Sequence, residues 1–276
     1  MPKKLLLIDG DEMLFKATAA VEHETKFNTV LGETDFNEPP IHVLFSHPGR
    51  AREVFDEMIE RFFERFETRD HLLCFSTPPD WDFGKTAPNF RYEVDPTYKN
   101  NRANSRKPLA YVQLRQDIEA DYKCKNFLGL EADDVMGIIA TSPMPKTQRI
   151  IVSQDKDMQT IPAFVWRKGD LVHVSEDEAD TYHMYQTLTG DITDGYKGCP
   201  GVGKVKAEKL LTVTEKHGPI NPETTHVEWM WEQVVGAYVK AGLTEDDALR
   251  QARLARILRW TDWDNDKKAP ILWSPS

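Results

Sequence analysis

Apolar runs that end in acidic residues constrain the fold of this chain more than any other feature. Residues 5–8 are aliphatic and are followed by Asp9, and the aliphatic residues 150–152 come shortly before Asp155 and Asp157. Buried strands that alternate with helices predict an α/β domain, and functional groups collect at the carboxyl ends of the strands. We therefore expect a central, mainly parallel sheet flanked by helices, with these carboxylates gathered at one edge.

Strands and helices are predicted along the whole chain. Strands are expected at residues 4–8, 72–75, 149–153, 164–166 and 171–174, the last two paired with each other. Helices are expected at residues 12–22, 49–69, 109–121, 133–140, 178–189, 205–212, 229–241 and 245–260. Residues 23–48 are predicted to be an irregular insertion, and residues 77–107 a long loop of the functional kind. This order predicts a core over residues 1–190 and a helical subdomain over residues 191–276.

The net charge of −10 taken alone speaks against a nucleic-acid partner, because phosphate contacts need Lys and Arg. The charge is unevenly distributed, however. Residues 85–107 contain six basic side chains against two acidic ones, and residues 197–216 are also basic. A protein with an acidic pocket beside local basic patches can be acidic overall and still hold DNA.

Other residue types exclude several classes of protein. Three widely spaced cysteines argue against a disulfide framework and indicate a reducing compartment. No apolar run approaches the ~20 residues of a membrane span, so we expect a cytoplasmic protein with no membrane contact. The histidines form no close metal-ligand pair, which speaks against a zinc enzyme.

Four acidic clusters are the candidate metal ligands. Besides the two after strands, Glu131, Asp133 and Asp134 form one cluster, and Asp191 and Asp194 form another. Any one cluster could be a turn or a helix cap, and Asp11 is expected to cap the first helix. The four together favour divalent cations, since clustered carboxylates repel one another. Mg²⁺ or Mn²⁺ suits oxygen ligands, and a pair of such ions suits hydrolysis of phosphodiesters by an activated water.

A basic segment with interleaved aromatic residues follows the predicted second strand. It contains Tyr98, Lys99, Arg102, Arg106 and Lys107. The cations could offset charge on a phosphate, and Tyr98, together with Phe90, could stack on exposed bases. The alternative is a mobile, solvated loop.

A glycine-rich turn opens a basic helix after the last acidic cluster. Its residues are Gly198, Gly201, Gly203, Lys204 and Lys206. Backbone N–H groups at such a helix start can bind a nucleic-acid phosphate without reading sequence. The alternative is a tight turn between packed helices.

The order and spacing of these motifs resemble the flap endonuclease and 5′-nuclease superfamily, and within it the podophage-type 5′→3′ exonucleases. The supporting segments are residues 8–15, 94–102, 131–137, 155–157, 160–162, 190–195 and 255–259. The resemblance runs from about residue 5 to residue 273, except at residues 23–48 and 217–228.

The resemblance implies a PIN-like core, a helical arch over the active site at about residues 77–107, and a helix–turn–helix element that grips DNA. It implies Mg²⁺-dependent hydrolysis, with Mn²⁺ as an alternative, of duplex DNA from 5′ ends, nicks or flaps, and of RNA in RNA–DNA hybrids. The implied roles are phage DNA replication, primer removal, recombination and host DNA breakdown, by a monomer in the host cytoplasm.

The resemblance also assigns roles to residues. The carboxylates that would hold two metal ions are Asp9, Glu131, Asp133, Asp134, Asp155, Asp157, Asp191 and Asp194. Lys99 and Arg102 match the basic residues of the arch and, with Asp155, are the expected catalytic residues. The turn at residues 198–203 matches an element that often holds a monovalent cation such as K⁺ against DNA phosphate.

One position departs from the family pattern. Thr77 stands where the family has an Asp after the second strand, and either Asp80 or water could replace it. This departure favours one alternative, a branched-DNA binding protein that has lost catalysis. A second alternative is a related metal-dependent ribonuclease, against which the phosphate-binding turn speaks.

Overall fold

A mixed sheet of six strands lies at the centre of the fold in the part of the chain that the structure describes. The computed structural model describes residues 3–27, 41–77, 87–102, 105–143, 146–213 and 224–275. The six strands of the sheet are, in spatial order, β5 (Cys124–Lys125), β4 (His71–Cys74), β1 (Lys3–Asp9), β6 (Thr147–Val152), β7 (Phe164–Arg167) and β8 (Asp170–His173). All neighbours are parallel except β7 and β8, which are antiparallel. The predicted α/β sheet is confirmed.

Helices cover both faces of the sheet, which explains the continuous apolar run in β1. Leu6 and Ile8 face a core that α1 (Gly10–Ala20), α2 (Pro48–Phe66) and α4 (Tyr111–Asp121) complete with side chains such as Phe55 and Leu114. Leu7 faces the opposite core, formed with α5 (Ala132–Thr141). Because successive strand residues point to opposite faces, a strand buried on both sides must be apolar throughout.

Four helices form a separate core in the carboxyl-terminal part. They are α6 (Glu176–Thr189), α7 (Lys204–Leu211), α8 (His226–Lys240) and α9 (Glu245–Ala255). Met184 and Leu188 of α6 pack with Trp229, Met230 and their neighbours. A domain boundary at residue 190 remains a prediction. None of the helices in the described ranges is long and apolar enough to cross a membrane.

The chain after α9 returns to the half of the protein that contains the sheet. Residues 256–264 pass along α5, where a Cβ added at Gly137 would lie 2.3 Å from the carbonyl oxygen of Leu258. Gly137 therefore permits a close approach of two backbones. A small hairpin of β9 (Trp263–Asp264) and β10 (Ala269–Pro270) follows.

Most predicted elements are confirmed to within a few residues, but some predictions differ from the structure. Residues 23–48 are not irregular throughout, because β2 (His23–Phe27) and β3 (Ile41–Phe45) form an antiparallel pair; residues 28–40 lie outside the described ranges. The strand β5 was not predicted, since two residues show no periodicity. The last helix ends at Ala255 rather than at residue 260, because Arg256 takes an extended conformation.

The predicted loop over residues 77–107 contains short helices in its described part. These are α3 (Arg91–Val94) and a 3₁₀ turn at Asn100–Arg102. Residues 78–86 and 103–104, including Asp80, lie outside the described ranges. Further 3₁₀ turns span Lys156–Thr160 and Trp260–Asp262.

Candidate active site

Two acidic residues follow neighbouring strands of the sheet. Asp9 ends β1 and caps α1, since its Oδ1 accepts the Glu12 N–H at 2.9 Å. Its Oδ2 accepts the hydroxyl of Ser153, which follows β6, at 3.2 Å. Asp155, two residues further on, caps the adjoining 3₁₀ turn by accepting the Asp157 N–H at 2.9 Å. The parallel pairing of β1 with β6 therefore brings both acidic clusters to one edge.

Asp133 lies in the first turn of α5, near enough to Asp9 and Asp155 for their charges to act on it, and we call the region between these residues the cleft. Burial raises the pKa of Asp133 well above its usual range, and the charges of Asp9 and Asp155 raise it further. Burial likewise raises the pKa of Asp9 to about 7. Among the described residues, none of these three carboxylates forms an ion pair. We call Asp9, Asp133 and Asp155 the inner carboxylates.

Glu131, at the mouth of the cleft, is surrounded by cations. Its carboxylate accepts hydrogen bonds from Lys99, from Arg91 at 3.2 Å and from the hydroxyl of Tyr98 at 3.0 Å. Burial acts to raise the pKa of Glu131, but the charges of Lys99 and Arg91 outweigh it and lower the pKa to about 2. Glu131 is therefore ionised at neutral pH.

The remaining acidic residues of the cleft, Asp157, Asp191 and Asp194, form what we call the outer carboxylates. Arg102 Nη2 lies 2.7 Å from Asp194, and Lys156 Nζ lies 2.6 Å from Asp191. Burial and the charge of Asp155 raise the pKa of Asp157 to about 7. The outer and inner carboxylates thus lie within electrostatic reach of one another.

Asp134 is placed differently from the other predicted metal ligands. Its side chain is fully buried, and its two oxygens accept hydrogen bonds from Arg91 at 2.7 and 2.8 Å. One oxygen also accepts the Leu258 N–H at 3.1 Å. Asp134 thus links the residues of the predicted arch to the chain segment that follows α9.

The arrangement fits divalent cations that keep water in their coordination shell. Among the described residues, no three Asp, Glu, His or Cys side chains already stand where they could hold a metal ion by themselves. Mg²⁺ usually retains several waters and is bound through one or two carboxylates plus substrate phosphate, so a complete protein cage is not required. The carboxylates of the cleft are hard oxygen donors that raise one another's pKa values, and a divalent cation would neutralise their charges.

Two acidic residues near the cleft have roles that the sequence did not indicate. Asp11 was predicted to cap α1, which is wrong because Asp9 is the cap. Asp11 instead accepts the N–H of Ser76 at 2.8 Å and the hydroxyl of Tyr111 at 3.0 Å, and so joins α1 to β4 and α4. Glu12 was missed altogether, although its Oε2 accepts the Gln154 N–H at 2.8 Å. Its spacing of three residues from Asp9 places it in the same helical turn.

The prediction that Tyr98 and Phe90 stack on bases is wrong in this structure. Tyr98 is 2% exposed and Phe90 is 7% exposed. The Tyr98 hydroxyl donates to Glu131 and to Asp194 at 3.2 Å. Both side chains therefore pack inside the protein, where the Tyr98 ring fills an apolar cluster and its hydroxyl lies between two carboxylates.

Lys99 and Arg102 project into the cleft, whereas Arg106 and Lys107 contact residues outside it. The two Arg106 Nη atoms donate to the carboxylate of Glu22, one of them at 3.0 Å. Lys107 Nζ lies 4.1 Å from the ring centroid of Tyr111.

The glycine-rich turn combines a tight turn with an exposed helix start. Gly198 has φ +65°, and a Cβ there would lie 2.3 Å from the backbone nitrogen of Gly190, so this position needs glycine for packing. Gly201 and Gly203 are exposed, and Gly203 caps α7. Lys204 and Lys206 are exposed in the first turn of that helix.

Thr77 stabilises the chain before α5. Its hydroxyl donates to the carbonyl of Phe127 at 2.8 Å and accepts the N–H of Gly129 at 3.0 Å. The neighbouring Ser76 hydroxyl accepts the N–H of Ala132 at 3.0 Å, which orients the start of α5. Both side chains at this strand end hold the backbone that carries Asp133.

A mainly parallel sheet that gathers carboxylates at its carboxyl edge, beside basic residues, is an arrangement typical of enzymes that hydrolyse phosphodiesters. Residues 4–182 match the model of the family described as 5′-3′ exonuclease, N-terminal resolvase-like domain. This chain belongs to that 5′-3′ exonuclease family, as the resemblance predicted.

Relatives and solved structures agree with this assignment. The exodeoxyribonuclease of Enterobacteria phage T3 is 31% identical over 99% of this chain and 93% of its own length, and the exonuclease of Escherichia phage T7 is 31% identical over 99% and 94%. The flap endonuclease of bacteriophage T5, crystallised with DNA and metal ions, is 14% identical and shares the fold with a TM-score of 0.53 over 92% of this chain and 99% of its own. The prediction of a phage-type 5′→3′ exonuclease is confirmed.

Proposed function

We propose that this protein is a Mg²⁺-dependent 5′→3′ exonuclease that hydrolyses duplex DNA, with Mn²⁺ as an alternative cofactor. The observation that carries the proposal is the inner group of Asp9, Asp133 and Asp155, three neighbouring carboxylates with no cationic partner among the described residues. Gathering like charges in one place is costly unless a cation neutralises them. Membership of the family indicates the class of reaction, and the inner carboxylates indicate that a metal ion takes part.

Two groups of ligands would hold two ions. The inner carboxylates, together with water, would bind one ion, and the outer carboxylates with water would bind the other, with Glu131 beside both. When bound, such ions activate a water as the nucleophile and stabilise the leaving 3′-oxygen. Asp155 caps the turn that leads to Asp157 and so connects the two groups.

Lys99 and Arg102 would orient the scissile phosphate. Both contact Asp194 across the cleft, at 3.6 and 2.7 Å, and both can exchange this carboxylate for a phosphate oxygen. Lys99 has φ +54°, an uncommon conformation for a residue other than glycine, and its N–H donates to the Asp194 carbonyl at 3.0 Å. The backbone conformation of Lys99 thus fixes the position from which its side chain extends.

Asp134 is better explained as a positioning residue than as a metal ligand. Both of its oxygens are bonded to Arg91, which also donates to Glu131. Asp134 would therefore act on the cleft only through Arg91 and Glu131.

The exposed helix start at residues 201–206 would anchor the duplex. Its backbone N–H groups and Lys204 and Lys206 suit a phosphate, and a K⁺ ion at the turn would add to this contact. Arg106 and Lys107 would add to the electrostatic attraction. The substrates would be duplex DNA with 5′ ends, nicks or flaps, and RNA in RNA–DNA hybrids. A monomer acting in the host cytoplasm would serve replication, primer removal, recombination and host DNA breakdown.

Asp155→Asn tests the proposal against Asp170→Asn, a matched change at an exposed carboxylate in β8. We measure product release from a linear duplex labelled at the 5′ end or at the 3′ end, with Mg²⁺, Mn²⁺, Zn²⁺ or chelator. The wild type and Asp170→Asn should release short 5′-labelled products early and only with metal. Asp155→Asn should bind DNA without cleaving it, and equal turnover would refute the assignment.

One observation favours a binding protein that lacks catalysis. Thr77 offers a hydroxyl where a carboxylate was expected, and both hydrogen bonds of that hydroxyl stabilise the loop before α5. If the wild type binds DNA but does not cleave it with any of the three metals, the binding protein without catalysis becomes the favoured function.

A further inference from the structure

Lys156 lies against the outer carboxylates from the solvent side. Its Nζ is 2.6 Å from an oxygen of Asp191 and 3.9 Å from an oxygen of Asp157. The Lys156 side chain is 54% exposed, whereas that of Asp191 is 5% exposed. The ammonium group therefore covers a buried carboxylate while its own stem remains in solvent.

The two halves of the cleft differ in how their charge is balanced. The inner carboxylates have no ion-pair partner in the described ranges, but Asp191 is paired with Lys156 and Asp194 with Arg102. A cation that enters the inner half meets carboxylates that have no ion-pair partner among the described residues. A cation that enters the outer half must first displace an ammonium or guanidinium group.

The pair with Lys156 is not needed to satisfy Asp191. Asp191 Oδ1 already accepts the N–H groups of Thr193 at 2.7 Å and Asp194 at 3.3 Å, which close the local turn. Lys156 occupies the other oxygen, Oδ2, the one that those N–H groups leave for a further ligand. A flexible lysine stem can leave this position without any movement of the backbone.

We propose that Lys156 is a built-in counter-ion that competes with a divalent cation for the outer carboxylates. It holds Asp191 when that end of the cleft contains no metal, and it moves into solvent when an ion binds. The two metal positions are consequently unequal, with the outer one weaker. This inference rests on the proposed metal-dependent function and concerns the order in which the cleft is filled.

Binding of Mn²⁺ in the absence of DNA tests the competition. Titration calorimetry and the electron paramagnetic resonance signal of free Mn²⁺ would be compared for the wild type, Lys156→Met, Lys156→Arg and Lys3→Met. Lys3 is the matched control, because it forms an exposed ion pair with Asp70 at 3.1 Å, at the other end of β1. Far-ultraviolet circular dichroism would verify that each variant is folded.

The weaker class of Mn²⁺ sites should tighten by up to about fivefold in Lys156→Met, the size expected for loss of one partly exposed ion pair. Lys156→Arg and Lys3→Met should bind like the wild type. If the wild type has two classes of Mn²⁺ site and Lys156→Met binds Mn²⁺ equally or more weakly, the role of Lys156 is overturned. The proposed metal-dependent function would then still stand. A wild type that binds no Mn²⁺ would overturn both this role and the proposed metal-dependent function.

Discussion

Replacement of Arg91 by Met should destabilise the protein far more than removal of a surface ion pair. The Arg91 side chain is 3% exposed and donates two hydrogen bonds to Asp134, which is fully buried, and one to Glu131. It also donates to the carbonyl oxygens of Leu254 at 3.2 Å and Arg256 at 2.7 Å. The methionine side chain can fill the space but can make none of these bonds.

The magnitude follows from what the substitution leaves behind. Removing one partner of a buried ion pair costs about 3–5 kcal/mol, because the other charge remains buried without compensation. That is a large share of the roughly 5–15 kcal/mol of a typical folded protein. Replacing both partners by apolar groups removes the uncompensated charge, so Arg91→Met/Asp134→Met should recover part of the loss; the Leu258 N–H and the carbonyl oxygens of Leu254 and Arg256 stay unpaired.

Urea denaturation followed by circular dichroism measures these differences through the free energy of unfolding. Arg50→Met is the control, because Arg50 forms an exposed pair with Glu53 at 2.6 Å and its loss should cost about 0–1 kcal/mol. If Arg91→Met cost no more than Arg50→Met, the Asp134 carboxylate would not be left buried and uncompensated in the variant, and the reasoning would be refuted. If the double variant were less stable than Arg91→Met, Asp134 would stabilise the fold by contacts other than Arg91.

Other perturbations test the cleft, the backbone approach and the DNA anchor. Burial raises the pKa of Asp9 from 3.8 to about 7, so between these pH values the folded protein binds a proton that the unfolded chain has lost. The melting temperature of metal-free protein should therefore fall as pH rises from 5 to 7. Added Mg²⁺ should reverse that loss, whereas a melting temperature that rises over this range would contradict it. Gly137→Ala should cost about 1–3 kcal/mol by forcing Leu258 away from α5, while Gly236→Ala, at a helix position with open space, should gain up to about 1 kcal/mol. Lys204→Met/Lys206→Met should weaken DNA binding and lower the slope of log K against log salt by about 2, with turnover at saturating DNA retained; an unchanged slope would exclude these phosphate contacts.

The sequence alone determined the features that depend on neighbours along the chain. The aliphatic run before Asp9 predicts a buried strand, and the amphipathic pattern over residues 49–69 predicts α2, because the strand and helix periods are local properties. The order of the acidic motifs was likewise sufficient to indicate the family. These inferences need no knowledge of which segments meet in space.

The tertiary structure decided which groups are paired, because pairing joins residues that are far apart along the chain. Arg91 meets Asp134 and Leu254 across 43 and 163 residues, so a basic residue of the predicted arch becomes part of the interior. Tyr98 appears as a base-stacking residue in the sequence but is buried, because its hydroxyl finds Asp194 across 96 residues. Only the fold shows that the inner carboxylates have no ion-pair partner in the described ranges while Lys156 covers Asp191, since charge balance depends on distance in space.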